Sequence, residues 1–207
     1  MMIQPIVEGQ GEEAAVPVLL RRLRDEAQAW TLDFAKPHRR RRSQLVKKES
    51  LQTAVRVAAL REDCAGILVI FDADDDCPKE LAPAIEDWAR EAAPGKACAV
   101  VMANREYEAW FLASIEALRG TSGILDGATS HTHPEAPRDA KGQLKDRMAE
   151  GATYSPTVDQ EPLTAHLNLE SAYRRCRSFR KLVLAFGTLA AAAGAAPAVW
   201  PPAAWNS

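Results

Sequence analysis

The chain has 207 residues, nearly half of them hydrophobic, and a formal net charge of −2. That length suits one domain, or one domain with an appendage, and the near-neutral average leaves partners to be read from where the charges lie. Four scattered cysteines (Cys64, Cys77, Cys98 and Cys176) form no CxxC pair, so zinc-ribbon and thioredoxin-like motifs are excluded, and free thiols of a reducing, cytoplasmic compartment are expected. The N-terminus lacks a basic-then-apolar signal pattern, and the weakly polar run 182–199 is broken by Gly187, Gly194 and Pro197, so no membrane span is expected.

Residues 2–7 read as a first strand. Glu8-Gly9-Gln10-Gly11-Glu12-Glu13 follows, then a helix with Val16, Leu19, Leu20 and Leu23 at helical spacing. Glu8 therefore stands at a strand tip and Glu12 in a first helical turn. The two glycines are expected to let the chain turn tightly and to leave room above it. Taken alone, Glu12 reads as a helix-start residue favoured by the helix dipole. Glu8 has no such explanation. Neither GxGxxG nor GxxxxGK[ST] is present, so phosphate-loop nucleotide sites are excluded.

Residues 30–35 read as a second strand. A basic block follows: Lys36, Arg39, Arg40, Arg41, Arg42, Lys47 and Lys48, expected as a loop or arm leading into a helix over about 46–62. Clustered Arg and Lys suit phosphate contacts, while a solvated arm is the plain alternative. Residues 66–71 form an unbroken β-branched-rich run, the pattern of a strand buried on both faces. It ends in Asp72-Ala73-Asp74-Asp75-Asp76. Four carboxylates in five positions repel one another unless something cationic sits among them, and Mg²⁺ or Mn²⁺ suits oxygen ligands. The bland reading is a solvated acidic turn with Asp76 capping the next helix.

A helix over 80–93 and a strand over 97–103 come next. The strand tip runs into Asn104-Arg105-Glu106-Tyr107-Glu108 and a helix over 109–118. Three strand ends thus carry carboxylates. Right-handed crossovers bring such ends to one edge of a parallel sheet, where α/β proteins bind ligands. If the first and central strands are neighbours, their tips flank the topological switch point. The segment 119–137 reads as a loop; its His131 and His133 lack a third partner nearby and are weak metal candidates. Residues 138–195 read as a helical extension, with a charged helix over 138–150, a connector at 153–159 and helix from Leu163 to about Ala193, in one or two pieces. Arg174, Arg175, Arg177, Arg180 and Lys181 form a second basic cluster around Phe179. The tail 196–207 cannot stay helical through its prolines, and Trp200 and Trp205 have no assigned place.

The order of motifs, EGxxE at Glu8 to Glu12 and then DxDxD at Asp72, Asp74 and Asp76, resembles the Toprim domain of topoisomerases, bacterial primases and OLD-type nucleases. The EGQGEE opening looks closest to the OLD-like branch. Glu108-Ala-Trp-Phe-Leu and Cys176-Arg-Ser-Phe-Arg are similar to a bacterial family of small, stand-alone Toprim-like proteins often encoded beside ATPases in phage-defence loci. The Toprim likeness covers about 1–115. The alternation of strands and helices itself predicts an α/β fold, and the likeness implies that it is a Toprim-like, Rossmann-like parallel sheet flanked by helices over 1–118; the helical extension is expected to pack on it. The likeness further implies that Glu8 serves in acid–base chemistry or holds a metal, that Asp72 and Asp74 hold Mg²⁺ with Asp76 assisting, and that Glu12 completes a second metal site. Glu108 is a further acidic candidate, and Lys141, Lys145 and Lys181 are candidates for a late basic residue. Cutting a phosphodiester needs charge neutralisation on attacking and leaving oxygens, which divalent ions held by carboxylates supply. The expectation is a Mg²⁺-dependent nuclease in anti-phage defence with a partner ATPase. Nucleic acid would lie on Arg39, Arg40, Arg41, Arg42, Lys47, Lys48, Arg177 and Arg180. The rival expectations are a non-catalytic Toprim-like module that binds nucleic acid or an ATPase, and a nucleotidyl-transfer enzyme lacking any phosphate loop. The chain is too short for topoisomerase strand passage.

Overall fold

A computed structural model describes residues 1–206. A wholly parallel sheet has strand order β2-β1-β4-β5, with β3 also pairing β1. The strands are β1 (Met2–Val7), β2 (Asp33–Phe34), β3 (His38–Arg39), β4 (Cys64–Asp72) and β5 (Ala97–Ala103). Chain order and spatial order diverge at β1, whose neighbours are β2 on one side and β4 on the other. The tips of β1 and β4 therefore flank the topological switch point, as the conditional reading of the sequence required.

β4 is buried on both faces because its side chains alternate between two cores. Ile67, Val69 and Phe71 join the core under α3 (Lys48–Ala59) and α4 (Pro78–Ala92). Leu68 and Ile70 join the core under α1 (Gln10–Ala27) and the C-terminal helices. Those helices are α8 (Pro156–His166), α9 (Leu169–Arg175) and α10 (Arg177–Ala192). Helix α10 lies on β5 and β4, and α1 packs most extensively on α8. The C-terminal helices thus complete one of the two layers that cover the sheet.

Several sequence expectations are corrected in detail. The basic block is no free arm. Part of it forms β3, and part forms α2 (Arg42–Leu45) and the start of α3. The expected second strand shrinks to Asp33–Phe34 and resumes as β3, with a gap between. Pro5 explains the gap. Ile3 and Val7 offer their carbonyls to Ala35 and Arg40 on that side of β1, so the amide that Pro5 lacks would have pointed there too. Gln4 fills the break, donating from Nε2 to the carbonyls of Lys36 (2.8 Å) and Pro5 (3.0 Å). The helix expected over 109–118 is two short pieces, α5 (Glu108–Leu112) and α6 (Ile115–Leu118). The charged helix expected over 138–150 is only α7 (Ala140–Lys145). The connector expected at 153–159 gives way to α8, for which Pro156 supplies the first turn. The long final helix is three pieces, α8 to α10.

Trp200 and Trp205 pack inward. The Trp200 indole donates to the Val183 carbonyl (2.7 Å) and lies against Phe186, while Trp205 is buried against Tyr173. Among the described residues, no helix is long and apolar enough to cross a membrane.

Candidate active site

Three strand-to-helix junctions meet at the carboxyl edge of the sheet. The first follows β1. Glu8 is half-buried, and its Oε2 is shielded from solvent without a hydrogen-bond partner. Burial and the charge of Asp74 push its carboxyl up. Glu12, one turn into α1, is 4% exposed, and its Oε2 accepts from the amides of Glu8 (2.9 Å) and Gly9 (3.0 Å). That is the reciprocal half of a capping box. The helix-start reading of Glu12 therefore holds, but a capping carboxylate is ordinarily wet and this one is not. Burial drives its pKa up to about 7, with Glu8 and Glu108 adding to the rise. The glycines act differently from expectation. Gly9 caps α1 with φ −87°, open to any residue, and Gly11 lies inside the helix, where α8 presses against it.

The second junction follows β4. Asp72 Oδ1 accepts the Tyr107 amide (2.8 Å), and burial together with Glu12 and Glu108 holds its carboxyl well above the usual range. The chain then turns through Asp74 in the left-handed region (φ 49°), a conformation that aspartate tolerates better than most residues. Asp74, Asp75 and Asp76 are exposed, and each faces a guanidinium. Arg42 pairs with Asp74 (3.0 Å) and Asp76 and also donates to the carbonyls of Asp72 and Ala73. Asp75 pairs with Arg105 (2.9 Å) and Arg138 (3.4 Å). Self-repulsion in this loop is thus relieved by arginines from α2 and the β5–α5 turn.

The third junction follows β5, and it brings residues that the sequence left undistinguished. Glu108 is 1% exposed. Its Oε1 accepts from the Tyr154 hydroxyl (2.7 Å), while its Oε2 is buried without a hydrogen-bond partner. Lys141, at the start of α7, reaches into this cluster. Its Nζ lies 2.9 Å from Glu106 Oε1, 3.6 Å from Asp72 Oδ2 and 3.6 Å from Glu108 Oε2. Burial opposes the lysine charge, yet Glu108, Asp72 and Glu106 outweigh it and hold the ammonium above its usual range. Of the three lysines the sequence offered, this is the one beside the acids. Lys181 pairs with Glu86, and Lys145 lies on the exposed side of α7. No local pattern marks Lys141 or Tyr154, because both reach the site across a long loop.

Glu8 and Glu108 thus raise Glu12, and Glu12 and Glu108 raise Asp72, with Lys141 and Arg42 as the nearby cations. Asp74 and Asp76 sit on the rim, turned to Arg42. The donor set is all oxygen and suits a hard divalent cation, and Glu8 and Glu108 each present a buried oxygen with no hydrogen bond. Among the described residues, no three acidic, histidine or cysteine side chains form a ready coordination shell. Lys141 stands instead among three of the acids.

The basic candidates divide. Arg39 pairs with Glu13 (3.5 Å), Lys48 with Glu91 (2.8 Å), and Arg42 serves the acidic loop. Arg40, Arg41 and Lys47 have no acidic partner among the described residues. Arg180 turns away over the Tyr173 ring (5.3 Å). The Arg177 side chain lines a cleft beside the acidic loop. His131 Nδ1 accepts the His133 amide (3.0 Å), a local turn contact.

Tyr154 makes the hydrogen bond that fixes Glu108. Tyr154→Phe leaves that buried carboxylate with no hydrogen-bond donor except Lys141 at long range. The expected cost is about 1–3 kcal/mol of unfolding free energy, read by urea denaturation.

No curated protein and no solved structure matches the chain. A family described as a domain of unknown function, DUF4276, matches residues 7–186. The match runs from the tip of β1 into α10 and takes in Glu8, Glu12, the acidic loop, Glu108, Lys141 and Tyr154. On that coverage the chain belongs to the DUF4276 family.

Proposed function

We propose that this protein is a divalent-metal-dependent nuclease of Toprim type, hydrolysing phosphodiester bonds of DNA or RNA. Its setting would be anti-phage defence with a partner ATPase, which follows from the motif resemblance alone. One observation carries the chemistry: buried carboxylates at the switch point outnumber their cations, and two of their oxygens have no hydrogen-bond partner. Burial disfavours the charged form of both groups, Glu8 and Glu108, and raises their pKa values, and a bound divalent cation would offset that penalty. Glu8 and Asp72 would hold Mg²⁺ or Mn²⁺, joined by Asp74 from the rim when it leaves Arg42, with Glu12 and Glu108 behind them and Asp76 on the rim. When bound, such an ion neutralises charge on the attacking and leaving oxygens of the phosphodiester. The chain's own residues do the rest. The Tyr107 amide fixes Asp72. Glu12 ties the turn at Glu8 and Gly9. Lys141 offers its ammonium to a phosphate oxygen once the acids are neutralised by other means.

The test is Mn²⁺ titration calorimetry on wild type, Glu8→Gln and Asp72→Asn, together with cleavage assays on DNA and RNA. Loss of a supporting group around a metal typically weakens affinity by about 10- to 100-fold, so each of these variants is expected to lose at least that much. Cleavage should fall in parallel. A folded wild type that binds no Mn²⁺, with or without a non-cleavable oligonucleotide, and cuts nothing would sink the proposal. That outcome would favour the second reading, a non-catalytic binding module. The position of Lys141 among the acids is the observation behind that reading, since a resident ammonium can neutralise the cluster permanently.

A further inference from the structure

A cleft of about 800 Å³ opens between α4 and α10, beside the acidic loop. Its floor is the outer edge of β5, where Val100 and Met102 are buried in the core, and the exposed Pro83 of α4 forms part of one wall. At one end it is lined by Asp75 and Asp76 of the acidic loop, which forms the rim of the candidate active site.

The charges around it are unevenly satisfied. Each of its carboxylates is already paired: Asp75 with Arg105 and Arg138, Asp76 with Arg42, Glu86 with Arg90 and Lys181, and Asp87 with Arg90. Two of its cations, Lys79 and Arg177, are exposed and have no acidic partner among the described residues. These two are the unpaired cations of the cleft, with the Glu135 carboxylate held behind them by the Arg177 and Ser178 amides. Strand addition to β5 is closed off at its centre, because the Val100 amide already donates to Glu86 Oε2 (3.2 Å). Arg90 and Lys181 hold that carboxylate in place.

We infer that this cleft holds one unpaired strand of nucleic acid where it runs past the active site. Phosphates contact Lys79 and Arg177, and a base lies against the exposed ring of Pro83. This rests on the nucleic-acid reading above and adds single-strandedness and a path. A pocket within the range of about 300–1,000 Å³ encloses a ligand of small-molecule size, so it takes a short stretch of one strand and excludes a duplex. Among the described residues, no aromatic side chain lines the cleft, so bases are not stacked and little sequence preference follows.

Fluorescence anisotropy in EDTA tests this without metal or hydrolysis. The probes are a labelled oligothymidylate and a hairpin duplex of equal length, each about 12 nucleotides long. Wild type should bind the single strand more tightly than the hairpin. The double variant Lys79→Ala with Arg177→Ala should bind the single strand at least about tenfold more weakly at low salt. The slope of log affinity against log salt should shrink by about 1.4, for two lost phosphate contacts. Both side chains are exposed and unpaired, and circular dichroism checks that the fold is kept. Equal affinity in the double variant, preference for the hairpin, or no binding by wild type each overturns the inference. If cleavage and metal binding fail while strand binding and its loss persist, the nuclease reading falls and the cleft assignment stands. If cleavage holds while the double variant binds normally, the strand takes another path.

Discussion

Glu12→Gln is expected to stabilise the metal-free protein at pH 8 and to do little at pH 4.5. A carboxyl raised from 4.5 to about 7 on folding binds its proton more tightly in the native state. Between those values the native state holds more protons than the unfolded chain, so unfolding free energy falls as pH rises. The loss is complete above pH 7 and amounts to on the order of 3 kcal/mol for this one group. Glutamine removes the charge but keeps an oxygen for the Glu8 and Gly9 amides. Asp72, Glu108 and Glu8 are shifted in the same direction, so the wild type in EDTA should be more stable at pH 5 than at pH 8. Urea denaturation at the two pH values reads both effects. A pH-independent difference between the variant and wild type would show that Glu12 is not the titrating group.

Gly11→Ala should be among the most damaging single methyl additions in the molecule. A Cβ at this position would lie 2.3 Å from the Pro156 carbonyl oxygen and 2.3 Å from Gln160 Oε1. Gln160 can shift, but Pro156 contributes backbone at the start of α8. In an open helix the same change gains about 1 kcal/mol of propensity. Here overpacking is expected to reverse the sign and cost about 3 kcal/mol, lowering the urea midpoint with an unchanged m-value. Because α1 carries Glu12 in its first turn, a displaced α1 should also weaken Mn²⁺ binding. An unaltered midpoint would mean that the close approach of α1 and α8 is not what requires glycine.

The sheet and the acidic edge were legible because they rest on local signals. β5 appears over 97–103 as the apolar run implied, and β4 follows from its unbroken hydrophobic stretch. Glu8, Asp72 and Glu108 each sit at a junction where a strand pattern gives way to a helical one. What escaped depends on contacts distant in sequence. The interrupted β2–β3 edge reflects Pro5, some 30 residues upstream, and no pattern within 30–48 reveals it. Arg42 looked like part of a phosphate-binding run, yet it is engaged by Asp74 and Asp76. Lys141 and Tyr154 lie beyond a long loop and have no motif. Gly11 reads as a turn residue in the sequence, although the reason for it is the neighbouring helix.

The placement of α10 has a consequence for how the chain is made. Leu182, Phe186 and Leu189 of α10 belong to the same core as Leu68, Ile70 and Val101 of the sheet. Synthesis proceeds from the N-terminus, so all five strands leave the ribosome before the helix that roofs one side of them. A nascent chain ending near residue 118 would display that apolar surface to solvent. It is therefore expected to need chaperone shelter until the last quarter of the chain emerges, and a fragment cut at residue 118 should aggregate.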